Sequence, residues 1–126
     1  MPISNDLANK LANATVRNVS YSSPATVYVA LYSTAPTAAT SGTELSGSGY
    51  TRESVTFDTP VAGAVASNVA VSFGPATADW TAAVAMAVTD ASTSGNIMWF
   101  KNIATQVVKN GNTLDLDSGD ITITIS

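Results

Sequence analysis

The stretch Thr26-Val27-Tyr28-Val29-Ala30-Leu31-Tyr32 alternates with a period of two and is apolar on both sides. Val27, Val29 and Leu31 point one way, and Tyr28, Ala30 and Tyr32 the other. Only a strand that is central, or covered on both faces, keeps such a run out of water. The period returns in Ala82 to Thr89, where Val84, Met86 and Val88 oppose Ala83, Ala85 and Ala87. The alanines predict a face packed closely by another layer. Alternation is strict again in Ile121-Thr122-Ile123-Thr124-Ile125.

Tyr50 to Phe57, Val65 to Phe73, Ile97 to Ile103 and Thr113 to Leu116 read as further strands. Asp58-Thr59-Pro60, Gly63, Gly74-Pro75 and Gly95 punctuate them. Asn110-Gly111 predicts a tight hairpin, because both residues tolerate positive φ. The 17 Thr and 13 Val among 126 residues favour strands over helices. The expected fold is all-β: an antiparallel β-sandwich of about six to eight short strands with one N-terminal helix. The expected core draws on Val27, Val29, Leu31, Val55, Phe57, Val69, Val71, Phe73, Trp99, Ile121 and Ile123.

The helix lies at the start. Ile3, Leu7 and Leu11 recur every four residues, Ser4, Asn5 or Asp6 can cap the N-terminus, and Asn18 or Ser20 can end it. Residues 1–20 are therefore expected as a helical arm, and residues 21–126 as a single sandwich domain. Ser33 to Gly49 reads as one long loop, an unusual length for a small domain and a candidate for contact.

Composition removes whole classes of chemistry. There is no Cys and no His, so thiol nucleophiles, Cys-ligated zinc and the commonest general base are absent. Five Lys and Arg against nine Asp and Glu cannot build the basic face that a phosphate backbone needs. No nucleic-acid partner is expected. No apolar run approaches the roughly 20 residues that span a bilayer, so no membrane partner is expected either. The first residues lack a basic n-region and an apolar h-region, which predicts no secretory export.

Three motifs invite a chemical reading. Asp115-Leu116-Asp117-Ser118-Gly119-Asp120 has alternating acids, but the Glu of a full calcium loop is missing; an exposed turn is expected. Glu44, Glu53, Asp58, Asp79 and Asp90 form no singled-out pair for glycoside hydrolysis. Lys10, Lys101 and Lys109 sit in no Ser-x-x-Lys context. The chain is expected to be no enzyme and to need no cofactor. Trp80, on the approach to a strand, stands out from the aromatics expected in the core.

An ordered series of motifs then carries a resemblance. Leu7-Ala8-Asn9-Lys10-Leu11 is followed by Pro24 to Ser33, Thr34-Ala35-Pro36-Thr37 and Gly42-Thr43-Glu44-Leu45-Ser46-Gly47. Gly49-Tyr50-Thr51-Arg52, Val55-Thr56-Phe57, Ser67-Asn68, the segment Phe73 to Trp80, and Asn110 to Leu114 complete it. Together these resemble small virion proteins of tailed bacteriophages, among them tail-fibre-like, minor structural and capsid decoration (cement) proteins. The resemblance runs from about Leu7 to Ile125 and is most specific at Tyr28 to Tyr32 and Tyr50 to Arg52.

It implies a structural protein made in the host cytoplasm and carried on the virion, with no active site to transfer. The leading expectation is a cement protein on the outer capsid surface, contacting the major capsid protein and itself as a dimer or trimer. The absence of a heptad or shaft repeat favours it. The alternative is a tail-fibre or tail-tip component that meets a host-surface glycan; a glycan-acting enzyme is the minor alternative. Ile3, Leu7, Leu11, Glu44, Leu45 and Trp80 are the expected partner contacts, through apolar and backbone interactions.

Overall fold

A computed structural model describes residues 1–125 and is built mostly of antiparallel strands with one N-terminal helix. The helix α1 (Asn5–Val16) is followed by nine strands: β1 (Val27–Thr34), β2 (Thr43–Glu44), β3 (Glu53–Val55), β4 (Ala64–Ala66), β5 (Val71–Phe73), β6 (Ala83–Thr89), β7 (Ile97–Gln106), β8 (Leu114–Leu116) and β9 (Thr122–Thr124). The doubly apolar run forms β1, and it is central. One edge of β1 pairs with β6, which pairs in turn with β7; the other edge is shared by β2 and β3. Two ribbons, β4–β9 and β5–β8, complete a sandwich-like arrangement.

The main core lies between the five-stranded sheet and the ribbons. Val29, Leu31, Met86 and Val88 from the sheet meet Val71, Phe73, Leu114, Ile121 and Ile123 from the ribbons. Val27, Phe57 and Trp99 are only partly buried against it. Ala30, Tyr32, Ala85 and Ala87 form a second, smaller cluster with Ala35, Ile97 and Phe100. This is the close-packed alanine face.

Four expectations change. Val69 is 41% exposed, because the Val65 to Phe73 run is broken at Ser67-Asn68 and Val69 lies between the two ribbons' strands. Ser67 is the buried pivot: its hydroxyl accepts from the Gly119 and Ile121 amides, both at 3.2 Å. In β6 it is Ala83, not Val84, that enters the main core, where the register shifts between Ala83 and Ala85. A bulge swaps the two faces. Asn110-Gly111 makes a turn, with the Asn112 amide on the Lys109 carbonyl at 3.0 Å, but no hairpin follows, since β8 pairs with β5. The Ser33 to Gly49 segment is not one open loop: β2 returns along β1, and the Leu45 amide donates to the Leu31 carbonyl at 3.0 Å.

The N-terminus is part of this body. The Ser4 amide donates to the Met98 carbonyl (2.9 Å), and the Phe100 amide to the Pro2 carbonyl (3.1 Å), so residues 2–4 line the outer edge of β7. Ser4 then caps α1, its hydroxyl accepting from the Leu7 amide at 3.2 Å. The helix ends where Asn18 takes a left-handed φ of 55° and the Val19 amide returns to the Asn13 carbonyl.

Candidate binding site

The densest polar network gathers around Arg52. Its Nε and Nη2 grip the Glu44 carboxylate in a bidentate pair, both at 2.9 Å. Its Nη1 donates to the Ala91 and Ser94 carbonyls, both at 2.8 Å, and to the Thr89 hydroxyl at 3.3 Å. The Tyr50 hydroxyl donates to Glu44 Oε2 at 2.7 Å and accepts from the Leu31 amide at 2.9 Å. One guanidinium thus ties β2 and the segment before β3 to the turn between β6 and β7. Tyr50 anchors the network in the core, stacked on Phe73 at 6.2 Å and edge-on to Trp80 at 5.7 Å.

Electrostatics follow from that geometry. Burial alone would raise the Glu44 carboxyl, but the hydrogen bonds from Arg52 and Tyr50 and the Arg52 charge outweigh it and hold it below its ordinary value. Burial also pushes the Tyr50 hydroxyl well up, with the bond to Glu44 adding to the shift. Arg52 is raised by its bond to Glu44. A carboxylate held ionised in this way is unsuited to act as a general acid near neutral pH.

Beside the network lies an open cavity of about 550 Å³. Tyr32, the cross-strand partner of Glu44, lines it from β1. The start of α1, residues 37–42 and residues 94–97 supply the rest, with Glu44 and Arg52 at one side. The rim is held from within. The Asn5 amide donates to the Ala38 carbonyl at 2.9 Å, the Thr37 and Thr40 hydroxyls meet at 2.7 Å, and the Asn96 amide donates to Asp90 Oδ1 at 2.7 Å. Gly42, at φ 61°, closes the loop against β1; a Cβ there would overlap the Thr34 carbonyl oxygen. Gly42→Ala is expected to cost about 1–3 kcal/mol, read as a fall in urea midpoint at unchanged slope.

A family model described as Podophage GP4 fiber I protein gp80 matches residues 2–124. The chain belongs to this family. No curated protein matches it. The gp80 match bears out the resemblance to small tailed-phage virion proteins, and makes this chain a phage structural protein of a fibre family. The segments Gly42 to Gly47 and Gly49 to Arg52, which carried much of that resemblance, supply the Glu44–Tyr50–Arg52 network.

In this gp80-family fold the expected contact residues do not form one surface. Leu7, Leu45 and Trp80 are buried in the chain's own core, at 5%, 6% and 7% exposure. The Trp80 indole donates to the Ser48 carbonyl at 2.8 Å. Ile3 and Leu11 are partly buried against the same core, Ile3 bridging to Trp99 on β7. Only Glu44 borders the cavity. Residues 117–120 form the expected turn, the Asp117 amide donating to Asp120 Oδ2 at 2.8 Å. Sequence reasoning missed Arg52 and Tyr32 as site residues. The signal was available for Arg52, the one cation between Arg17 and Lys101, set eight residues after Glu44.

Proposed function

We propose that this chain is a non-enzymatic structural component of a phage fibre or tail tip. The observation that carries the reading is the match to a fibre-protein family over residues 2–124. The geometry supports the non-enzymatic part. Glu44, the partly buried acid beside the cavity, is committed to Arg52 and Tyr50, and no His or Cys exists to serve as base or nucleophile. Contacts with neighbouring copies would be apolar and backbone-mediated, since five scattered cations cannot steer docking. On the host side the partner would be a surface glycan.

A second reading, capsid decoration against the major capsid protein, is favoured by the absence of any heptad or shaft repeat in the sequence. Purified virions separate the two. Gold-labelled antibody at the tail, with a handful of copies per particle by quantitative mass spectrometry, is expected. Label spread over the head, in numbers scaling with the capsomers, would replace the fibre reading with decoration.

A further inference from the structure

Among the described residues, the Tyr32 hydroxyl has no hydrogen-bond partner. The side chain is 2% exposed, yet its surroundings act on it through burial and the charges of Glu44 and Arg52, with no hydrogen bond among them. Among the described residues, no buried polar side-chain atom lacks a partner. An unbonded hydroxyl on so buried a ring must therefore reach open space, and the cavity it lines is where that space lies. Buried polar groups are nearly always satisfied, so a hydroxyl left for water or a ligand asks for an explanation.

We propose that this cavity binds a neutral saccharide unit, with the Tyr32 hydroxyl and the Glu44 carboxylate as its two polar anchors. The size suits it: 550 Å³ falls within the roughly 300–1,000 Å³ of small-molecule sites. Charge selects the class. Arg52 is spent on Glu44 and backbone carbonyls, so no free cation awaits an anion, and the Glu44 and Asp6 carboxylates at the rim oppose one. Asp6 is itself paired with Lys10 at 2.8 Å, which leaves little pull for a cation.

Hydrogen-bond capacity points the same way. Glu44 accepts three bonds, two from Arg52 and one from Tyr50, and a carboxylate has about four lone-pair sites. One acceptor remains. Tyr32 offers both a donor and an acceptor, and as cross-strand neighbours the two side chains share a face. Vicinal hydroxyls of a sugar can donate to one and accept from the other. Burial, with Glu44 adding, pushes the Tyr32 hydroxyl up to about 12, so it stays protonated as a donor in all ordinary buffers. The Thr37, Thr40 and Ser41 hydroxyls at the rim extend the same chemistry.

The choice of saccharide over other neutral polyols rests on the fibre reading, while the cavity and its anchors do not. Saturation-transfer NMR on the whole protein with galactose, glucose and N-acetylglucosamine tests it, with N-acetylneuraminic acid as the anionic comparison. At least one neutral sugar is expected to receive saturation. Tyr32→Phe, which removes only a hydroxyl that bonds to none of the described residues, is expected to weaken that binding about five- to tenfold. Ser41→Trp, on the exposed rim, is expected to abolish it, and serves should Tyr32→Phe fail to fold. Silence from all three neutral sugars, binding of the acidic sugar alone, or undiminished binding by both folded variants would overturn the proposal. Virion location is read separately by gold labelling, so a silent cavity leaves the fibre reading standing.

Discussion

Arg52→Ala is expected to lower the unfolding free energy by about 3 kcal/mol, at the lower end of what breaking a buried ion pair costs. The Arg52 side chain is 9% exposed and Glu44 26%, so the orphaned carboxylate keeps some contact with water and the loss is not larger. The substitution also strands the Ala91 and Ser94 carbonyls and frees the turn before β7. A melting temperature about 10 °C below the wild type, by circular dichroism, is the readout. Arg52→Lys should recover little, because an ammonium cannot reproduce the bidentate grip while also reaching two carbonyls. A melting point for Arg52→Ala within a few degrees of wild type would refute the role assigned to the network.

Acid sharpens the test. The Glu44 carboxyl is held below its ordinary value of 4.5 in the folded chain. Its contribution is present above that unfolded value and is lost as pH falls through the lowered folded one. The gap between wild type and Arg52→Ala should therefore be full at pH 7 and close below the ordinary carboxylate range. A gap that widens in acid would assign the stabilisation to another group.

Removal of residues 1–16 is expected to have the larger consequence. Residues 1–20 read from the sequence as a helical arm; in the structure residues 2–4 pair along β7 and Leu7 is buried in the main core. Without them the β7 edge and Met98 face water, and an open sheet edge invites pairing with other chains. The truncated protein should melt more than 10 °C lower and elute in part as aggregate by size exclusion. Leu7→Ala isolates the packing contribution, with about 3 kcal/mol expected for truncating a buried Leu in place. A truncated chain that stays monodisperse and melts like the wild type would show that the arm is independent.

Periodicity alone determined a good deal here. The doubly apolar Thr26 to Tyr32 run had to be central or covered on both faces, and the alanine face of β6 had to be buried. Both follow from local rules, since period two sets which side chains share a face and the hydrophobic effect sets which faces are covered. A cap at Ser4, Asn5 or Asp6 and a terminator at Asn18 or Ser20 were legible for the same reason, since each acts on backbone within a few residues; the structure uses Ser4 and Asn18.

Pairing partners were not legible. Nothing in Asn110-Gly111 tells that β8 will leave its chain neighbour for β5, nor does the Val65 to Phe73 run announce its break into two ribbons. Those outcomes depend on contacts between residues far apart in sequence. The candidate site is of this kind. Glu44 and Arg52 are eight residues apart, but Thr89, Ala91 and Ser94 join them only when β6 and β7 pair beside β1. Tyr32 looked like another core aromatic, and its ring is one. That its hydroxyl finds no partner among the described residues, at the wall of a cavity, was decided by tertiary packing, because hydrogen-bond satisfaction belongs to a neighbourhood in space and not to a stretch of chain.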